Sequence, residues 1–335
     1  MATPTPSPTH NPSAVGSPIP VSPIPIPKVV PTPTSVGSPL SPSGSPPVAT
    51  KPPPFTLGGG ILNKAWLKLL VYGAPGVGKS TLCGTSADVA QMRDILWVDC
   101  EAGQLGIIDN PRIADDGHLT NNRVAVTSFK QVSDVHDWLV GHCLYRDLTD
   151  ARSADVLRTQ EARLRGCDPK DIAEPARFRT VILDSISEID TLSNYELLGV
   201  SEARILSGDS ENVEVATWDE FRKNNMRIQM LLRAFRNLPM HLLVTSAAHY
   251  KEDELKKRHW EPALTGQLTR QVQGFFDIVG YLQVSQQADK VEYRLNVQPG
   301  TVFYAKNRRA TYTKSHFTDP FMKTILEGVG LLKPA

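Results

Sequence analysis

Four continuous apolar runs punctuate the chain, at Lys68–Tyr72, Ile95–Cys100, Val181–Leu183 and His241–Thr245. None alternates between apolar and polar positions, which is the pattern of strands buried on both faces of a parallel sheet. A shorter strand is predicted at Arg123–Ser128. Helical spacing separates these runs. Val132, Val135 and Leu139 fall on one face of a helix, with Ser128 as its N-cap. A long amphipathic helix spans Trp218–Arg236, with Met226, Ile228, Met230, Leu231, Leu232 and Phe235 as its apolar side. Residues 104–122 read as a polar loop. Residues 144–176, rich in Arg, Asp and Glu, read as a weakly helical excursion with a solvated face, a lid or a subunit contact. Beyond Phe275 the texture changes to FFDIVGYLQVSQQ, KVEYRLNVQ and TVFYAKNRR, short strands split by turns such as Gln298-Pro299-Gly300. That is the pattern of an antiparallel extension on a parallel sheet, closed by a short helix in DPFMKTILEGVGLL.

Composition divides the chain near Phe55. Residues 1–54 contain no Asp or Glu, and Lys28 and Lys51 are their only Lys or Arg. Repeated S-P, T-P and I-P steps exclude helices and central strands, so residues 1–55 are expected to be a disordered tail with local polyproline II character. It reads as a linker or as a docking segment. Residues 56–335 suffice for one α/β domain. The start MATPTPSP lacks the features of a secretory signal, and no apolar stretch is long enough to span a bilayer. Cys83, Cys100, Cys143 and Cys167 lack metal-like spacing and suit a reduced, cytoplasmic chain. His136 and His142 read as surface helix residues. With a formal net charge of +1, any polyanion-binding surface must be local.

The chemistry begins at GAPGVGKST. Gly73, Ala74, Pro75, Gly76, Val77, Gly78, Lys79, Ser80 and Thr81 fit G-x-x-x-x-G-K-[ST] between a strand and a helix. Backbone N–H groups of such a turn surround a polyphosphate. Lys79 would reach the β- and γ-phosphates, Ser80 would hold Mg2+, and Thr81 would donate to the α-phosphate. Asp184 closes a buried strand where a Walker B carboxylate meets the Mg2+ water shell. Glu101, just past the second strand, is the leading candidate for orienting or deprotonating water, with Glu188 second. Asp99 reads either as a group beyond the Mg2+ waters or as a polar strand end. The expected cofactors are thus a nucleoside triphosphate, taken as ATP although no residue fixes that preference, and Mg2+.

Three further groups carry two readings each. Ser246 and His249 follow the strand at His241–Thr245 and are candidate γ-phosphate sensors or satisfied polar groups. Lys256, Lys257 and Arg258, followed by Trp260, would meet phosphates and stack on a base in a loop, or belong to a solvated loop or subunit contact. Lys306 and Arg308 would complete a neighbouring subunit's site in trans, or end a strand in water.

KLLVYGAPGVGKST, WVDCEAG, TVILDSISEI, HLLVTSAAH, LTRQVQGFFDIVGYL and FYAKNRR, in this order, resemble the phage-encoded RecA-like ATPases associated with single-strand annealing recombination. The resemblance covers roughly residues 64–328. It implies a RecA-like P-loop fold, with Lys79, Ser80 and Thr81 as phosphate and Mg2+ contacts and Asp184 as the Walker B carboxylate. It implies Glu101 as the catalytic glutamate, and Lys306 and Arg308 as the cationic pair reaching a neighbour's γ-phosphate. It further implies rings or filaments, single-stranded DNA as a ligand, and a phage single-strand binding protein or annealase as a partner. The basic run at 256–258 matches no signature of these proteins, and the Pro-rich leader is unusual among them. Two rival functions stand beside this one: a helicase-type or helicase-loading motor, and an NTP-gated scaffold with little turnover.

Overall fold

The computed structural model describes residues 66–333, apart from 104–105, 109, 114–118, 120–121, 201–216, 253–257, 288–289 and 310. The expected Pro-rich tail lies outside the described residues, as do Lys256 and Lys257. The strands are β1 (Lys68–Gly73), β2 (Ile95–Asp99), β3 (Arg123–Ala125), β4 (Thr180–Asp184), β5 (His241–Glu252), β6 (Arg258–Pro262), β7 (Ile278–Gln287), β8 (Lys290–Asn296), β9 (Lys306–Asn307) and β10 (His316–Thr318). The helices are α1 (Lys79–Gly84), α2 (Phe129–Tyr145), α3 (Ala151–Arg165), α4 (Ile186–Leu197), α5 (Trp218–Asn237), α6 (Leu268–Val272) and α7 (Met322–Gly328).

They build one sheet in the order β10-β8-β7-β1-β5-β4-β2-β3. From β7 to β3 every neighbouring pair is parallel, while β8, β9 and β10 join antiparallel at the β7 side. This is the expected α/β P-loop architecture with its antiparallel extension. Alternate side chains of the central strands enter two cores. Leu70, Leu96, Val98, Leu183 and Val244 face α2, α4 and α5, whereas Leu69, Val71, Trp97, Ile182 and Leu243 face α1 and α7. Burial on both faces explains why these strands read as continuous apolar runs.

Local details depart from the sequence reading in several places. α1 is a helix of only six residues, continued by two 3-10 turns through Met92. The loop after Gly103 is not simply polar, because Ile107, Ile113 and Leu119 are buried in the core beneath α1. β5 does not stop at Thr245. It runs on to Glu252 and pairs with β6, so the segment around Trp260 is a hairpin arm rather than a loop. The buried stripe of α5 is Asn224, Ile228, Leu231, Leu232 and Phe235, whereas Met226 and Met230 are 56% and 65% exposed. Asn224 points inward because its amide donates to Asp190 Oδ1 (2.6 Å), whose other oxygen accepts from Thr265 N–H and Oγ1–H.

His142 is a core residue, not a surface one. Its Nε2 accepts the Phe178 N–H (3.0 Å) and its ring stacks on Trp138. His136 is half-buried, edge-on to Phe235. Burial, reinforced by Arg146, pulls the His142 pKa down from 6.5 to about 4. Burial likewise pulls His241 down to about 3, consistent with a neutral ring whose Nδ1 accepts the Leu67 N–H. Arg146 is itself buried, and its guanidinium donates to the carbonyls of Phe178 and Pro239. The excursion at 144–176 is thus tied into the domain at its start. Its later part forms α3, capped by Asp150 at one end and by Gly166 (φ 66°) at the other.

Two outcomes follow from this packing. Phe235→Ala should destabilise the domain by about 3–5 kcal/mol and Met230→Ala by less than about 0.5 kcal/mol, read from urea midpoints. The second concerns pH. An unfolded histidine takes up its proton near pH 6.5 but the folded His142 only near 4, so the unfolded state binds more protons in between. Stability should therefore fall as pH drops from 6.5 toward 4, by at most about 1.4 kcal/mol per unit for each such ring. His142→Gln should flatten that fall measurably; an unchanged pH profile would contradict the burial argument.

Candidate active site at the carboxyl ends of β1, β2 and β4

Parallel strands deliver their carboxyl ends to one edge, and open α/β sheets bind ligands in the crevice there. β1 leads into the turn Gly73–Thr81. Gly76 and Gly78 take φ of 78° and 87°, conformations that cost a side-chain-bearing residue energy. Gly73 is required for space, since a Cβ there would lie 2.4 Å from the Leu282 carbonyl oxygen. Pro75 and Gly76 are exposed; Ala74, Val77, Gly78, Lys79, Ser80 and Thr81 are half-buried.

Lys79 Nζ lies over the turn and donates to the carbonyls of Gly73 (3.1 Å) and Ala74 (3.0 Å). Burial lowers its pKa, and the carboxylates of Glu101 and Asp184 oppose that shift. The predicted lysine and both predicted carboxylates are therefore brought together. Asp184 accepts hydrogen bonds from Thr245 Oγ1 and from Ser80. Burial raises its pKa, those two donors lower it, and the nearby Glu101 and Asp99 raise it further.

The side of β5 that meets Asp184 follows from alternation. Leu243 and Ile182 share the α1 face, so Thr245 and Asp184, two residues on, share it as well. Ser246 faces the other layer, where its Oγ lies 3.0 Å from Ser187 Oγ and donates to the Ala247 carbonyl. His249 stands on the hairpin arm with Nε2 3.2 Å from Glu261. Thr245 is thus a site residue that the sequence reading passed over, although strand parity identifies it.

Asp99 is a strand end that organises the next turn. Its Oδ1 accepts the N–H groups of Glu101 (3.0 Å) and Ala102 (2.9 Å), and its other oxygen pairs with Arg123. The Cys100 N–H bonds the Asp184 carbonyl (2.8 Å), locking the turn to β4. Glu101 itself is exposed at the mouth of the crevice, where its Oε1 accepts from Ser185 Oγ. Glu188 lies one turn into α4, and its N–H bonds the same Ser185 Oγ at 3.4 Å.

Hard oxygen donors are what Mg2+ prefers, and Ser80 and Asp184 supply a hydroxyl and a carboxylate side by side. Among the described residues no cluster of three or more His, Cys, Asp or Glu could hold a metal.

The remaining predicted residues lie outside this cluster. Lys306 Nζ donates to the carbonyls of Gln273 (2.7 Å) and Phe276 (3.0 Å), and burial pulls its pKa down to about 8. Arg308 is exposed and donates to the Gly274 carbonyl (3.1 Å). Trp260 is half-buried, stacked on Tyr281 and edge-on to Tyr250. Arg258 begins β6, and nothing further of the basic run falls among the described residues. On the other flank, Thr81 Oγ1 donates to the Gly106 carbonyl (3.3 Å) and accepts from Asn110. Arg112 lies between the rings of Tyr293 and Phe321, 4.8 and 4.7 Å from their centres.

A sequence profile described as "AAA domain" matches residues 65–309. No curated protein matches. Solved structures that resemble this one include the flagellar accessory protein FlaH from Methanocaldococcus jannaschii, at 10% identity and a TM-score of 0.34, covering 76% of this chain and 84% of that one. A KaiC-like protein from Pyrococcus horikoshii OT3 resembles it at 12% identity and 0.36, covering 75% and 84%. The RadB recombinase resembles it at 13% identity and 0.33, covering 68% and 80%.

Thr245→Val removes a donor from the Asp184 carboxylate at nearly constant volume. It should cost about 1–3 kcal/mol while the carboxylate is ionised, and less as acid neutralises Asp184, whose burial raises its pKa. Urea midpoints at several pH values check this; a pH-independent loss would mean that the hydroxyl does not act on the carboxylate.

Proposed function

This chain belongs to the AAA-domain family, and from that family's chemistry, the binding and hydrolysis of a nucleoside triphosphate, we propose an Mg2+-dependent ATPase coupled to single-stranded DNA in phage recombination or annealing. The observation that carries the catalytic part is the meeting of Lys79, Ser80, Asp184 and Glu101 at one edge of the sheet. A triphosphate in the turn Gly73–Thr81 would add negative charge beside Lys79, which favours its ammonium form and offsets burial. Lys79 then holds the β- and γ-phosphates. Ser80 and Asp184 would hold Mg2+, which when bound neutralises charge developing on the phosphate oxygens. Glu101 orients a water for in-line attack and accepts its proton. The water oxygen bonds to the γ-phosphorus as the bond to the bridging oxygen breaks, and ADP leaves.

The coupling part is supported by the hairpin. β5 carries Thr245 against Asp184 and continues, five residues beyond the register of Gly73 with Ala247, into the arm that pairs with β6. A strand that touches both the Asp184 carboxylate and an outer surface can pass a displacement between them. On this reading DNA meets that arm and the basic run at Lys256, Lys257 and Arg258. Trp260, stacked on Tyr281, braces the arm, so its contact with a base would be partial. Homo-oligomeric assembly, as a ring or filament, would bring a neighbour's cation to the γ-phosphate. Of Lys306 and Arg308, the exposed Arg308 is the better placed for that role, because Lys306 is held by two carbonyls of its own chain. A single-strand binding protein or annealase is the partner that this function would require.

Steady-state ATPase activity, with and without single-stranded DNA and with light scattering to count subunits, tests the proposal. Lys79→Ala should abolish turnover. Glu101→Gln should keep ATP binding and lose about 100-fold or more in kcat, and DNA should raise wild-type turnover. Normal turnover in Glu101→Gln would move the water-activating role elsewhere, and indifference to DNA would remove the coupling.

A further inference from the structure

An exposed glutamate on a turn has several rotatable bonds, and a carboxylate that must aim one water at one phosphorus needs a holder. The backbone of the Glu101 turn is fixed by Asp99 Oδ1 and by the Asp184 carbonyl. Its side chain is fixed from elsewhere, by the hydroxyl of Ser185. Ser185 is fully buried and directly follows Asp184, so it belongs to the same rigid β4–α4 junction that carries the carboxylate next to Ser80.

We propose that Ser185 is the positioning residue for Glu101, a buried hydroxyl that ties the water-activating carboxylate to the strand carrying the metal-binding carboxylate. The inference rests on the role given to Glu101 above. The direction of the hydrogen bond follows from the valence of the groups. An ionised carboxylate only accepts, so the hydroxyl proton goes to Glu101. The oxygen keeps lone pairs, and one of them accepts the Glu188 N–H at the start of α4. The hydroxyl therefore has both partners assigned and little freedom to turn its proton elsewhere. Any shift of Asp184 along β4 is passed through one residue to Glu101, so that metal site and water site move together.

A purely structural reading exists, because Ser185 is the N-cap of α4. The two roles separate experimentally. Glycine is tolerated at an N-cap nearly as well as serine, whereas it removes the hydroxyl completely. Steady-state kinetics of Ser185→Gly, Ser185→Ala and Ser185→Thr, alongside thermal melts, read the difference. The expected result is a kcat about 10- to 100-fold lower for Ser185→Gly and Ser185→Ala, with KM for ATP within about threefold of wild type and recovery in Ser185→Thr. Combined with Glu101→Gln, Ser185→Ala should lower kcat by less than about threefold further, since the group it positions is already lost.

Wild-type kcat in a folded Ser185→Gly would overturn the inference. So would a full additional loss in the Glu101→Gln background. Glu101→Gln inactive with Ser185→Gly active removes the positioning role and leaves the ATPase reading standing. Glu101→Gln fully active removes the water-activating role of Glu101 and, with it, the positioning role of Ser185, while the ATPase reading stands.

Discussion

A carboxylate buried at the end of a β-strand is the constraint on which the site depends. Asp184 is almost inaccessible, and burial alone would push it toward its neutral form. The fold answers with two hydroxyl donors, Thr245 from the neighbouring strand and Ser80 from the phosphate-binding turn. Those bonds join three separate pieces of chain at one atom pair. The Lys79 ammonium lies close enough to feel the same charge. Removing the carboxylate would leave its donors without their acceptor, so the site and the sheet edge are a single electrostatic unit.

The rest of the domain serves that edge. Parallel pairing of β1, β5, β4 and β2 puts their carboxyl ends in register, and the two apolar cores leave those ends as the place where polar groups collect. The Asp99–Arg123 pair adds a second layer, because it shapes the turn that offers Glu101 to solvent. Glu101 is reachable by water yet tethered by Ser185. Exposure supplies the reactant and the tether supplies direction, and neither alone would suffice for in-line attack.

Much of this was legible in the sequence where the determinants are local. The phosphate-binding turn reads directly because glycine spacing, Lys79 and Ser80 act through adjacent backbone. The central strands read because burial on both faces leaves mostly apolar residues, with polar ones at their ends. What failed to read depends on partners distant along the chain. Met226 and Met230 looked like core, but the inward stripe of α5 is set by Asp190, which needs the Asn224 amide. His142 looked like a surface residue, but an N–H at Phe178 claims its ring. The β5–β6 hairpin was hidden because its exposed arm carries charged residues that read equally well as a loop. Thr245 was available from strand parity, since it falls two residues after a position on the α1 face. No comparable local signal marks Arg112 and Tyr293.

The central claim is geometric: the turn at 73–81 and the carboxylates of Asp184 and Glu101 address one outer phosphate. The most direct measurement is a crystal structure of the protein with Mg2+ and a non-hydrolysable ATP analogue. The account predicts Lys79 on the γ-phosphate, Ser80 and Asp184 beside the ion, and a water held between Glu101 and the γ-phosphorus. A bound analogue whose γ-phosphate points away from Glu101, or an ion remote from Asp184, would contradict it.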